Sequence, residues 1–337
     1  MTFQRFLLRR ALMVIPLMIG VVFITFMLVR IGGLDPVGRL AGPTATQAEF
    51  DSIRNNLGLD QPLWKQFSIY LGNVVRGDLG ESWLSNRSVL TDIKERAVIS
   101  LELLFWGVGI GALVGVPVGL RAAFRPNGRF DQFTRVLSLF GFSIPTYWLA
   151  LVMIFVFFYL LGWSPPAIGR MSLLVTPPDM ITGSYLIDGV LTARWDAAQS
   201  AASQLILPVI CLAIVSAAPI IKQTRAIAIE VLSSDTVRYA HACGLPERNV
   251  RKLVLRNSAV PILTYIGTEV TGLVGTMSLI EYVFAWGGLG QYGLNAIISG
   301  DFTAVQGYVL VLAVFSVLVF IVIDFVVYLI EPRSELS

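Results

Sequence analysis

Six times along the sequence the chain runs for 19 residues or more with hardly a charged side chain: 11–29, 99–120, 136–163, 203–221, 261–284 and 304–330. A helix rises about 1.5 Å per residue and the hydrocarbon core of a bilayer is about 30 Å thick, so about 20 apolar residues make a span. The runs predict an all-α polytopic membrane protein with six transmembrane helices. Composition agrees: 55% of the 337 residues are hydrophobic and 14% charged, where a soluble domain carries about a quarter charged. The first run follows Arg5, Arg9 and Arg10 and resembles a secretory signal. It is long for one, no A-x-A-like cleavage site follows, and retention as the first span is expected. Residues 136–169 hold no charge and contain Pro145, which predicts a kink or break with room for a re-entrant piece.

Orientation follows from the connections, because Lys and Arg accumulate on the cytoplasmic side. Segments 1–10, 121–135 and 222–256 carry 14 basic residues in 60 positions, against nine in 125 positions for 32–97, 163–202 and 285–303. The density differs about threefold, so both termini are expected in the cytoplasm. Gly107, Gly111, Gly115 and Gly119 recur every four residues in the second run and predict close approach of another helix. Pro117 predicts a bend there.

Several chemistries are excluded. The formal charge of +3 implies no nucleic acid as partner. Two distant cysteines, Cys211 and Cys243, and one histidine, His241, offer neither a disulfide scaffold nor a multi-histidine metal centre. No lysine completes a P-loop, so this chain does not bind ATP by that route. A G-x-G-x-x-G match at Gly288, Gly290 and Gly293 follows a membrane run rather than a strand, and reads as an outer turn. Serine-hydrolase and zinc-protease patterns are missing.

The segment 222–256 stands apart, with seven basic and three acidic residues. Ser234 or Asp235 can cap a helix start, and Gly244 with Pro246 can end it. A short helix outside the bilayer is expected here, followed by a second at 248–257. Arg238-Tyr239-Ala240, then Gly244-Leu245, then Leu255-Arg256-Asn257-Ser258 and Pro261 resemble the EAA loop of binding-protein-dependent ABC importers, in the form carried by the dipeptide, oligopeptide and nickel family. The likeness extends along the chain through Arg9-Arg10, Asp35-Pro36, Gly77-Asp78-Leu79-Gly80, Leu101-Glu102-Leu103, Ser143-x-Pro145, Glu281-x-x-Phe284, Gly288-Leu289-Gly290, Asp301, Asp324 and Pro332-Arg333. Each motif alone is weak; their order and spacing are specific. Two departures are the usual basic residues replaced at His241 and Cys243, which make the loop less positive, and a stretch from Gly244 to Pro261 that is about one residue short.

The resemblance implies the transmembrane domain of a type I ABC importer in the bacterial inner membrane. Residues 1–97 would supply a first helix and an extracytoplasmic region, and 98–330 the transmembrane domain with a coupling loop at 222–260. It implies a permease subunit that forms half of a translocation pathway, with a homologous second permease as the other half. Two cytoplasmic ATPase subunits would hold ATP and Mg, an extracytoplasmic solute-binding protein would deliver substrate, and lipid would surround the spans. No cofactor is expected on this chain and no enzymatic activity. Residues 236–245, Leu245 included, would sit in a groove on an ATPase, with Arg238 making charge-assisted contacts and Ala240 and Gly244 allowing close approach, and Arg256 and Asn257 would fix the return helix.

Three runs contain acids, Glu102, Glu269 and Asp324, and charges at that depth usually face a cavity or a partner. Structural pairing is expected for Glu102 and Asp324. Glu269 stands where the family often has glutamine, and is read as a pathway residue favouring cationic substrate. The outer region 32–97 is nearly balanced, with seven basic and eight acidic residues, and its Trp64, Tyr70 and Trp83 suit either a binding-protein contact or a stabilising cap. An ion-coupled secondary transporter using the three acids is the rival reading. It leaves the basic inner loop unexplained, and no two-fold internal repeat is evident. Short peptides lead the family's substrates, ahead of nickel chelates, opines and oligosaccharides.

Overall fold

The computed structural model describes residues 14–27, 46–56 and 60–330. The helices are α1 (Val14–Met27), α2 (Gln47–Asn56), α3 (Leu63–Val75), α4 (Val89–Ala123), α5 (Arg129–Ser143), α6 (Thr146–Ile154) continued by a π-helical turn at Phe155–Leu160, α7 (Tyr185–Leu191), α8 (Trp195–Leu232), α9 (Asp235–Ala242), α10 (Glu247–Val283), α11 (Leu289–Ser299) and α12 (Phe302–Ile330). Among the described residues no strand forms beyond one isolated bridge, Glu81 to Ser88. The motifs at Arg9-Arg10, Asp35-Pro36 and Pro332-Arg333 lie outside the described residues.

By length and apolarity alone, α4, α8 and α12 can each cross a membrane, and α5 with α6 makes a fourth candidate. This pair is bent by 95°. The bend falls where the sequence places it: Ile144 and Pro145 adopt extended backbone between the two helices, because the proline ring disfavours helix for the residue before it and removes a donor. The remaining two of the six runs are a 14-residue apolar helix, α1, and α10, which is 37 residues long but more polar. Pro117, Pro208, Pro219 and Pro261 all sit inside continuous helices.

The chain divides into two compact units. One comprises residues 1–96 and 292–317, the other 97–291 and 318–337. In the first, Tyr70 stacks on Phe26 at 5.8 Å and Trp83 meets Phe302 edge-on at 6.0 Å, so two of the three outer aromatics pack within their own unit. Trp64 is 72% exposed. The Gly77-Asp78-Leu79-Gly80 motif is a tight turn, with both glycines at φ +80° and the Gly80 N–H donating to the Asp78 carboxylate at 2.9 Å. Asp301 ties the unit together by accepting from the Ser82 hydroxyl at 2.6 Å and from the backbone N–H of Leu84 and Ala304.

In the second unit the glycine ladder of α4 lies directly on α8. A β-carbon on Gly107 would fall 2.6 Å from Leu212, one on Gly115 2.8 Å from Ile220, and one on Gly119 2.7 Å from the Ile221 carbonyl; Gly111 faces Ser216 still more closely. The ladder therefore sets the helix separation, and the Ser216 hydroxyl points to the Gly107 carbonyl at 3.4 Å. Forcing extra atoms into a packed core costs about 1–3 kcal/mol. Gly111→Leu is expected to lower the thermal midpoint of the purified chain, whereas Gly109→Leu, with open space around it, should leave it unchanged. Equal midpoints for the two variants would show that the ladder does not set the packing.

Candidate coupling site

The connection between α8 and α10 carries the residues singled out by the sequence. It is shorter than the sequence suggested. Helix α8 continues to Leu232, so Lys222 and Arg225 belong to it, and the expected second short helix at 248–257 is the opening of α10, which runs unbroken to Val283. Only 233–246 lie between the two long helices. The reason is that neither end contains a helix breaker: Ser233-Ser234 and Gly244-Leu245-Pro246 are the first interruptions of good helix-forming sequence.

Within that connection α9 is cut at both ends by local chemistry. Ser234 is extended, with Asp235 in the first turn, where a negative charge suits the helix dipole. At the other end Gly244 has φ +73°. Its N–H donates to the His241 carbonyl at 2.9 Å and the Leu245 N–H to the Ala240 carbonyl at 3.1 Å. This pair of bonds is the Schellman ending, which requires a left-handed residue that glycine supplies without strain. Pro246, extended, then starts α10.

One face of α9 is fastened to its own chain. Val237 and Ala240 form a buried cluster with Val250 and Val254 of α10, against which Phe124, Val231, Leu232 and Leu253 pack. Ala240 is only 5% exposed and faces this cluster. The opposite face is open. Arg238 and Tyr239 are each more than 70% exposed, and Leu245 is 40% exposed. Arg238 pairs with Asp235 at 3.2 Å; such an exposed pair is worth about 1 kcal/mol at most, so the guanidinium stays available. Arg256 and Asn257 are exposed and make no side-chain hydrogen bond among the described residues. Val250 and Val254 pack α10 against α9. Their four-residue spacing, matched by Val237 and Ala240 three apart, is the signal that sequence reasoning passed over.

His241 and Cys243 are both exposed, and His241 Nε2 lies 3.4 Å from the Glu247 carboxylate. Among the described residues no group of three or more ligating side chains could hold a metal ion.

The acids of the apolar runs differ in their surroundings. Glu102 accepts from the Ser184 hydroxyl at 2.5 Å. Among the described residues Glu269 is bonded only to the Tyr265 hydroxyl one turn earlier, at 3.2 Å. Glu281, in the same run as Glu269 and not weighed with the other acids, is completely buried. Its carboxylate accepts from the Ser100 hydroxyl at 2.5 Å and the Gln291 N–H at 2.9 Å, while Ser100 Oγ accepts from the Leu289 N–H at 2.7 Å. A β-carbon on Gly288 would strike that carboxylate, and one on Gly290 would lie 2.7 Å from the Ser278 Cα. The G-x-G pair thus makes room for a buried acid and a helix, not for a dinucleotide.

Outside the spans, Asp188 is the hub of the 163–202 connection. Burial alone would raise its carboxyl, but the hydroxyl and N–H of Thr182 and the N–H groups of Ile181 and Gly183 hold it below the usual range. Beside it the Arg170 guanidinium covers the Tyr185 ring at 3.9 Å and donates to the Gly183 carbonyl.

Two family patterns cover the chain almost end to end. That of the binding-protein-dependent transport system inner membrane component matches residues 115–335, and that of the N-terminal part of such membrane components matches residues 3–103. The chain belongs to this family. As an inner-membrane component of a binding-protein-dependent transport system it is a multi-pass permease with the type I ABC importer membrane domain, and permeases of this kind are not themselves enzymes. It is 36% identical over 334 residues to the probable D,D-dipeptide transport system permease protein DdpB of Escherichia coli, covering 99% of this chain and 98% of the relative. It is 35% identical over 332 residues to the di/tripeptide transport system permease protein DppB of Pseudomonas aeruginosa, and 32% identical over 331 residues to the dipeptide transport system permease protein DppB of Alkalihalophilus pseudofirmus, in both cases covering 97% of this chain and 98% of the relative.

Proposed function

We propose that this chain forms half of the translocation pathway of an ABC importer for short peptides. The observation that carries the reading is near-complete alignment with permeases named for dipeptide and di/tripeptide transport. A homologous second permease supplies the other half, two cytoplasmic ATPase subunits bind ATP and Mg, and an extracytoplasmic solute-binding protein delivers the peptide. Six spans with both termini in the cytoplasm follow from the six apolar runs and the basic bias of the inner segments. In this reading 1–97 supplies the first span and outer region, and 98–330 the transmembrane domain. Deleting the gene should abolish uptake of labelled dipeptide, and ATP depletion should stop it where collapse of the membrane potential does not. Uptake that followed the potential instead would restore the ion-coupled reading.

The coupling element is α9 with its flanks, 222–260. Arg238, Tyr239 and Leu245 form the face offered to an ATPase, Gly244 sets the turn, and Ala240 acts from behind by holding α9 on α10. Closure of the ATPases would press on α9 and move α10 with it, because the two share a buried cluster, drawing the inner ends of the two permeases together so that the pathway closes inside and opens outside. Arg256 and Asn257 lie on the exposed flank of the same lever.

Glu269 is the pathway residue. Among the described residues its carboxylate has only a tyrosine hydroxyl as partner, and it retains acceptor capacity for a passing ammonium group. Glu269→Gln is expected to lower uptake of cationic dipeptides about fivefold relative to neutral ones, the effect of roughly 1 kcal/mol from one unit charge in a hydrated path. An unchanged ratio would remove the residue from the pathway.

A further inference from the structure

At one end of the second unit, α5 and α8 enclose a cavity of about 280 Å³. Its lining combines two chemistries that soluble ligands rarely need together. Arg135, Lys222 and Arg225 supply three cations, while Leu139, Phe142 and Ile221 supply an apolar wall. Leu139 and Phe142 are about 70% exposed, so the wall continues onto the outer surface of α5.

The cations are not equivalent. Arg225 is bound to the fully buried Asp131 through Nε and, at 2.9 Å, through Nη2. Arg135 approaches the same carboxylate only at 3.8 Å. Lys222 is exposed, with Nζ 5.9 Å from the centre of the Phe142 ring. One carboxylate against three cations leaves a surplus of two positive charges. Ser138 also lines the cavity; it is 5% exposed and its hydroxyl has no hydrogen-bond partner among the described residues, which is costly for a buried donor unless something occupies the space. Thr134 is engaged, donating to the Asp131 carbonyl at 2.9 Å.

We propose that this cavity is a binding site for an anionic phospholipid, with the headgroup phosphate between Lys222, Arg135 and the Ser138 hydroxyl and an acyl chain along Leu139 and Phe142. Surplus positive charge selects the anion, the unsatisfied hydroxyl supplies a directed donor, and the exposed apolar wall excludes a purely water-soluble ligand as the best fit. Arg225 serves the site indirectly: bound to Asp131, it holds α5 on α8 and so keeps the cavity open. If 121–135 and 222–256 face the cytoplasm, as proposed above, the lipid comes from the inner leaflet, but binding itself does not depend on that orientation.

The test is native mass spectrometry of the full-length chain in detergent, with phosphatidylglycerol, phosphatidylcholine of the same acyl chains, and glycerol 3-phosphate as probes. Phosphatidylglycerol should be retained in preference to phosphatidylcholine. Lys222→Ala and Arg135→Ala should each weaken it about fivefold, the worth of one basic residue near an anionic lipid, Lys222→Arg should preserve it, and Lys65→Ala, at an exposed position in the other unit, should leave it unchanged. Equal retention of the two lipids, or equal effects of Lys65→Ala and Lys222→Ala, would overturn the proposal. So would displacement of the lipid by glycerol 3-phosphate at matching concentration, which would make the cavity a site for a small soluble anion.

Discussion

Gly244→Trp is expected to abolish solute uptake while the chain remains inserted in the membrane at its normal level. Gly244 adopts φ +73°, and a residue with a β-carbon pays about 1–2 kcal/mol for that conformation. A β-carbon there meets nothing within 4 Å, so the strain is not compounded by a clash, and the buried cluster of Val237, Ala240, Val250 and Val254 still fastens α9 to α10. What the indole does change is the outer surface between Arg238 and Leu245, where the coupling reading puts an ATPase. Gly244→Asn separates surface from backbone, because asparagine tolerates the left-handed region and is small. Uptake of labelled dipeptide, membrane level and ATPase co-purification should be measured for both. Normal uptake in the Trp variant would sink the docking assignment, and equal loss in the Asn variant would move the cause to the turn itself.

Glu281→Ala should have the largest effect on folding. The side chain is wholly buried and gathers α4, the end of α10 and the start of α11 around one carboxylate. Truncation strands the Ser100 hydroxyl and the Gln291 N–H, each at about 1–3 kcal/mol, and leaves a cavity whose lining loses further contacts. The sum, about 4 kcal/mol or more, is a large part of the stability of an ordinary domain. Size-exclusion chromatography of the detergent-solubilised variant should show aggregated or degraded chain in place of a monodisperse peak. Glu281→Gln keeps the shape and one acceptor oxygen and should recover part of that peak. A monodisperse Ala variant with an unchanged thermal midpoint would show that the carboxylate does not organise this corner.

Both predictions concern residues visible in the sequence motifs, but for different reasons. At Gly244 the requirement is local: a helix that must stop within one residue needs left-handed backbone, and a glycine followed by Leu-Pro announces it. At Glu281 nothing local distinguishes a buried hub from an acid as sparsely bonded as Glu269, since the two lie in the same apolar run twelve residues apart. Ser100, Gln291 and Gly288 declare the difference, and Ser100 is 181 residues away along the chain. Ala240 makes the same point on α9. The motif marks it, yet its inward direction follows from Val250 and Val254 on another helix.

The amino-acid sequence by itself determined the solvent, the break at Pro145, the close approach along the glycine ladder and the place of the turn at Gly244. Each of these rests on a requirement that one stretch of chain imposes alone, whether hydrocarbon thickness, proline sterics, a missing side chain or the sign of φ. Only the tertiary structure decided which helix the ladder meets, that the basic loop is a brief interruption between two long helices, which face of α9 is free, and where three cations gather around Asp131. Those are pairings between distant segments, set by complementary shape and charge, and no short window of sequence contains both partners.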